Sequence, residues 1–222
     1  DILTSSFLVT AKLAGIAYIL AVVLGIVVGV VAAVNHGKWV DSALMTISVF
    51  GISAPAFWIA IILQIVICLK FNLLPLSGID SFKSFILPGI ALGTRYAASI
   101  ARITRTSMLD VLSQDYIRTA EAKGLKGWVV TIKHALRNAL IPIITIAGSD
   151  LGNILTGSVL VESVFSIPGI GKMLVDSINT RDLPIVQGGV MYIAVICVIM
   201  YLVVDLLYTV VDPRIRLGKE SS

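Results

Sequence analysis

Charge is scarce in this chain. Asp, Glu, Lys and Arg together make up 14% of its 222 residues, where about 25% is usual for a soluble globular domain. Hydrophobic residues make up 57% and the mean hydropathy is strongly positive, which excludes a soluble globular fold and points to an integral membrane protein. Cysteine is almost absent: Cys68 and Cys197 fall inside apolar runs, far apart, with no further cysteine or histidine at ligand spacing. A disulfide framework and a metal site are thereby excluded in favour of two small buried hydrophobes. His36 and His134 are isolated, and no Ser-His-Asp or paired-carboxylate arrangement emerges from spacing, so no enzymatic activity is expected of this chain. The net charge of +4 does not mark a nucleic-acid binder, because in a membrane chain the location of charge carries the information.

What the chain has in abundance is long apolar runs. Residues 13–34 carry no charge, and 22 residues make about 33 Å of helix against a hydrocarbon core of about 30 Å. That run is also longer than the core of a signal peptide. Residues 43–69, 139–161 and 185–211 form three more candidate spans, and 85–112 a fifth that carries Arg95, Arg102 and Arg105. The expected fold is all-α, a polytopic transmembrane helical bundle of about five spans forming a single domain over 1–222. Pro88 sits where a first-turn proline is tolerated, while Pro55 lies mid-span and predicts a kink or local opening. Gly25 and Gly29 form a small-xxx-small pair that permits close helix contact.

Five spans put the two chain ends on opposite sides. If segments 35–42, 102–137 and 214 onward are cytoplasmic, they hold eleven of the seventeen basic residues: Lys38, Arg102, Arg105, Arg118, Lys123, Lys126, Lys133, Arg137, Arg214, Arg216 and Lys219. The positive-inside rule then places the C-terminus in the cytoplasm and the N-terminus outside.

Between the third and fourth of these runs lies a polar stretch, 113–137. Residues 115–123, DYIRTAEAK, are rich in helix formers, Asp115 suits a helix N-terminus, and Gly124 suits the left-handed position past a helix end. Nine residues give about 13 Å of helix, too short to be stable alone in water, so the helix must pack on something. The segment 115–142, DYIRTAEAKGLKGWVVTIKHALRNALIP, resembles the glycine-containing cytoplasmic loop of ABC importer permeases in the dipeptide, oligopeptide and nickel branch. SVLVESVFSIPGIGKMLVDSI (158–178), DLPIVQGGV (182–190) and VDPRIR (211–216) resemble the same branch, so the likeness covers nearly the whole chain. Arg118-Thr119-Ala120 stands where the general permease loop has an acidic-Ala-Ala triplet, and His134-Ala135-Leu136-Arg137 where it ends in Ile-x-Leu-Pro; both departures are usual in the peptide branch.

The resemblance implies a type I ABC importer permease fold in a prokaryotic cytoplasmic (inner) membrane. It implies a second homologous permease, two cytoplasmic ATPase subunits that carry ATP and magnesium, and an extracytoplasmic substrate-binding protein. It further implies that Asp115, Tyr116, Arg118, Thr119, Ala120, Glu121, Ala122, Lys123, Gly124 and Leu125 couple to an ATPase. Peptides are the implied cargo, with a nickel or other metal chelate, or glutathione, as alternatives. Members of the branch have one more N-terminal span, so the chain is expected to begin after it, as a short form or a fragment.

The remaining motifs are weighed from the residues themselves. Gly169-Ile170-Gly171-Lys172 invites a phosphate-loop reading, but Ser166 stands at the required first glycine and Met173 at the magnesium-binding hydroxyl, so it is rejected. No cofactor is therefore expected in this chain. Pro168, with Ile170, Met173, Leu174 and Ile178 near helical spacing, predicts an amphipathic helix over 168–180 on the outer face, where by resemblance the binding protein docks.

In the fourth span Asp150 with Asn153 and Gly157, or Ser149 with Asn153 and Thr156, falls on one helical stripe, with Glu162 beyond them. A charge at mid-bilayer costs at least about 2.5 kcal/mol and normally faces protein or water. Two readings of Asp150 stand: it lines a translocation path, or it pairs structurally with a base such as Arg95, with Glu162 at the outer interface. An ion-coupled transporter or channel would show inverted repeats, interrupted helices in corresponding positions or a carbonyl filter, and none is visible.

Overall fold

The computed structural model describes residues 2–79 and 81–211, and among them the regular structure is helical throughout. Helix α1 (Ile2–Val34) is followed by α2 (Trp39–Ser53) and α3 (Ala56–Leu63), which widens into a π turn over Gln64–Lys70. After an irregular segment come α4 (Ile86–Leu112) and the short α5 (Asp115–Ala122). Then α6 (Gly127–Val129) runs through a π turn, Val130–Leu136, into α7 (Arg137–Thr156), and α8 (Val159–Val164), α9 (Ile170–Asn179) and α10 (Leu183–Val211) complete the chain. Arg214, Arg216 and Lys219, with most of the 211–216 motif, lie outside the described residues.

Helix α4 is the hub, packed on α1, α2, α3 and α7, and its contact with α1 is the most extensive of all. The glycines of α1 account for that contact. A Cβ added to Gly25 would lie 2.7 Å from the Ile100 side chain, and one added to Gly29 would lie 2.6 Å from the Ala101 carbonyl oxygen. Residues rise together along the two helices, Gly25 facing Ile100 and Gly29 facing Thr104, so α1 and α4 run parallel. The small-residue pair is therefore used, letting one helix backbone approach the next.

Three helices among the described residues are long and apolar enough to cross a membrane: Ile2–Val34, Gly127–Thr156 and Leu183–Val204. Trp39–Ser53 and Ala56–Lys70 qualify only as a pair, bent by 106°. The run 43–69 is thus a broken helix, with Ala54 and Pro55 extended between the halves; proline lacks the N–H that would carry the ladder across. Helix α4 has 27 residues, about 40 Å, but its basic side chains exclude it from a purely apolar definition. The run 139–161 divides at Gly157 into α7 and α8. The segment expected as a helix from Pro168 onward begins instead at Ile170, because Gly169 takes the extended N-cap position.

Candidate functional site

A cavity of about 680 Å³ opens between α4 and α7. Arg95, Tyr96, Ser99 and Arg102 enter it from one stripe of α4, and Asp150, Asn153 and Thr156 from one stripe of α7, since residues three and four apart share a helical face. A smaller cavity of about 320 Å³ shares Ile52, Arg95, Tyr96 and Gly157 with the first and reaches the break at Pro55. The interrupted helix therefore borders a polar space, the setting in which irregular backbone is tolerated at membrane depth.

Asp150 Oδ2 is buried without a hydrogen-bond partner, and among the described residues no ion pair joins it to Arg95. Arg95 acts on Asp150 through its charge without forming a direct ion pair. Asn153 accepts a hydrogen bond from the Tyr201 hydroxyl at 3.1 Å and donates to the Ser149 carbonyl. Ser149 itself is absent from the lining; its hydroxyl donates to the Ile146 carbonyl. The lining takes Asp150, Asn153, Thr156 and Gly157 and leaves only Ser149 out.

Glu162 is not exposed on the surface of the chain. It is fully buried, and its Oε1 accepts hydrogen bonds from Thr10 Oγ1 at 2.7 Å and Ser158 Oγ at 2.8 Å, while Oε2 accepts from the Lys172 N–H at 3.1 Å. Thr10 Oγ1 in turn accepts from the Ile170 N–H at 2.9 Å. Of the first N–H groups of α9, that of Lys172 thus points at an internal carboxylate and that of Ile170 at the hydroxyl bonded to it, as expected of a helix N-terminus. Gly169 lies so near that carboxylate that a Cβ there would overlap Glu162 Cδ. The glycine-rich turn that resembled a phosphate loop holds the chain's own anion.

At the opposite end of α4, Arg105 grips Asp41 with both ends of its fork, Nε to Oδ1 at 2.6 Å and Nη2 to Oδ2 at 2.7 Å. Asp41 also accepts from the Gly37 N–H, and His36 Nδ1 lies 3.0 Å from Arg105 Nη2. This cluster fixes the α1–α2 turn against α4. His36 is a member of an ion-pair cluster here, where the sequence showed only an isolated residue.

Helix α5 follows directly. Ile117 and Ala120 are buried, in one apolar cluster with Met108, Val130, Ala135 and Ala139. Its other face, with Asp115, Tyr116, Arg118, Thr119, Glu121 and Ala122, is exposed. The helix ends in a two-bond Schellman cap: the Gly124 N–H donates to Glu121 O at 2.9 Å and the Leu125 N–H to Ala120 O at 3.4 Å. Gly124 holds φ at 76°, the left-handed region this motif needs. Of the ten expected coupling residues, Ala120 is turned into its own chain, and Ile117 is the anchor that the expected set omits. Leu125 and Trp128 are exposed beside the helix, Trp128 by 69%, and Trp128 was not singled out by spacing because its segment carries no regular period.

Among the described residues, no three His, Cys, Asp or Glu side chains are grouped to hold a metal ion. The sequence missed α4 as a wall of the cavity; the signal was Arg95, Ser99 and Arg102 on one stripe, of which Arg102 served for orientation, Arg95 stood only as a possible partner of Asp150, and Ser99 went unread.

Residues 25–217 match the family model described as binding-protein-dependent transport system inner membrane component. The chain is 45% identical over 221 residues to the dipeptide transport system permease protein DppB of Bacillus subtilis (strain 168), covering 100% of this chain and 72% of that protein. It is 44% identical over 216 residues to the glutathione transport system permease protein GsiC of Escherichia coli (strain K12), covering 97% and 71%. Among solved structures, the inward-facing MetNI methionine ABC transporter aligns with a TM-score of 0.76 at 16% identity, over 95% of this chain and 96% of that one. An amino acid ABC transporter crystallised with histidines aligns with a TM-score of 0.70 at 16% identity, over 93% and 92%.

Proposed function

Because this chain belongs to the family of binding-protein-dependent transport inner membrane components, and so is a multi-pass permease subunit of an ABC importer with the type I fold, we propose that it imports peptides through the cavity between α4 and α7. One observation carries the reading: α5 is inserted in the chain between α4 and α7, the two walls of that cavity. A push on α5 is delivered to both walls at once, and a change in their separation opens the cavity to one side or the other.

The exposed face of α5, with Tyr116, Leu125 and Trp128 beside it, supports docking in a cleft of a cytoplasmic ATPase. Hydrolysis of ATP, with its magnesium, belongs to two such subunits. A second homologous permease completes the cavity, and a binding protein delivers cargo at α9. The basic residues around α5 support a cytoplasmic position for it and an outer position for α9. Dipeptides and glutathione, the cargoes in the names of the two relatives, share a free ammonium and at least one free carboxylate, and short peptides of this kind are the proposed cargo.

The experiment is uptake of labelled dialanine into vesicles holding the chain with its partner permease, ATPases and binding protein. Uptake should require ATP and the binding protein. Uptake driven by an ion gradient without ATP would favour a secondary transporter instead.

A further inference from the structure

The lining of the α4–α7 cavity is not merely polar. It sets two guanidinium groups, Arg95 and Arg102, on one wall and a single carboxylate, Asp150, on the other, and the carboxylate keeps one buried oxygen without a donor. A charge at membrane depth is ordinarily paired or solvated, and these charges form no direct ion pair among the described residues, with about 680 Å³ of space beside them. A simple cation would satisfy Asp150 but meet two arginines. A simple anion would satisfy the arginines and leave Asp150 Oδ2 unpaired. A molecule with an ammonium at one end and a carboxylate at the other satisfies both walls.

We propose that this cavity reads the two charged ends of a dipolar cargo, taking the ammonium at Asp150 and the carboxylate at Arg95. The proposal rests on the reading of the cavity as the translocation path. Ammonium supplies the N–H donors that Asp150 Oδ2 lacks, and a guanidinium fork matches a carboxylate with two parallel hydrogen bonds. Arg102 lies seven residues further along the same stripe, about 10 Å along the helix axis, and forms a second carboxylate station towards the α5 end. Tyr96, Ile103 and Ile146 give the space between the charges an apolar side, which suits a variable middle. The permease thus selects for free ends, independently of the binding protein.

The test uses the assembled transporter without its binding protein, in nanodiscs, and measures equilibrium binding of dialanine, N-acetyl-dialanine and dialanine amide. Dialanine should bind about tenfold more tightly than either capped form, the ratio expected when a buried charged group is left unpaired. Asp150→Asn should erase the preference over the N-acetyl form and keep the preference over the amide. Arg95→Gln should do the reverse, and Asp150→Glu should keep both. Absence of dialanine binding, equal binding of free and capped forms, or an equal loss for all three ligands in both variants overturns the proposal.

ATP-driven uptake by the same variants separates the two levels. Unchanged uptake in Asp150→Asn and Arg95→Gln would remove the path reading itself. Reduced uptake with end preference intact would remove only the recognition of ends.

Discussion

Thr10 and Glu162 stand 152 positions apart in the chain and 2.7 Å apart in space, hydroxyl to carboxylate. Through that one contact α1 is tied to α8, and through the Ile170 and Lys172 N–H groups both are tied to α9. A fully buried carboxylate is costly unless its oxygens are occupied, and here three donors occupy them.

Glu162→Ala should leave the Thr10 hydroxyl and the Lys172 N–H without their acceptor, each at about 1–3 kcal/mol, while the Ser158 hydroxyl can turn to the Leu155 carbonyl at 3.1 Å. The segment around α9 should become cleavable by protease in the purified complex, while Thr10→Val, which removes one donor to Glu162 and the acceptor of the Ile170 N–H but leaves the carboxylate in place, should produce a weaker effect. Gly169→Ala should resemble Glu162→Ala, because its methyl would overlap the Glu162 carboxyl. A protease-resistant α9 in Glu162→Ala would show that the carboxylate holds nothing in place.

Gly29→Val should separate α1 from α4. The added side chain meets the Ala101 carbonyl and Thr104, backbone and branched atoms that cannot swing aside, at a cost of about 1–3 kcal/mol or more. Recovery of intact complex in detergent should fall. Gly15→Val is the control, since nothing lies within 4 Å of a Cβ there, and equal recovery of the two variants would contradict the close contact.

Arg105→Ala strands the buried Asp41 carboxylate, which loses both of its shortest hydrogen bonds. Breaking a buried pair costs about 3–5 kcal/mol. The melting temperature of the complex should drop by more than in the double variant Asp41→Asn with Arg105→Ala, where no charge is left alone. Additive losses in the double variant would mean that the pair is not coupled.

Gly124→Val should uncouple the transporter without unfolding it. No atom lies within 4 Å of a Cβ at this position, but φ is 76°, a conformation that costs a residue with a Cβ about 1–2 kcal/mol. The Schellman cap should open and α5 should tilt against its partner. Membrane insertion should persist while uptake and cargo-stimulated ATP hydrolysis fall severalfold; normal values of both would dissociate α5 from coupling.

Much of the helical architecture could be read along the chain. Asp115 and Gly124 marked both ends of α5 through simple end chemistry, and Pro55 marked the break between α2 and α3. What could not be read were contacts between distant segments. Nothing near Glu162 points to Thr10, so a carboxylate near a loop looked like an interface residue. The arginines of α4 informed on orientation, but only packing against α7 puts Arg95 and Arg102 opposite Asp150. Helical spacing admitted two stripes through Asn153, and the cavity draws on both, Asp150 and Gly157 from one and Thr156 from the other, leaving Ser149 out.

The glycine contact between α1 and α4 has a mechanical meaning. Two rods that touch along their backbones have no slack of side chains between them, so neither can bend or slide without carrying the other. One end of this doubled strut meets α5 through Met108 and Ile117; the other meets α9 through Thr10 and Glu162. A displacement entering at one end would therefore be carried to the other, and the stiffness that makes this so comes from glycines on both sides of the joint, Gly25 and Gly29 of α1 and Gly93 of α4, against whose Cα the Ala17 carbonyl packs.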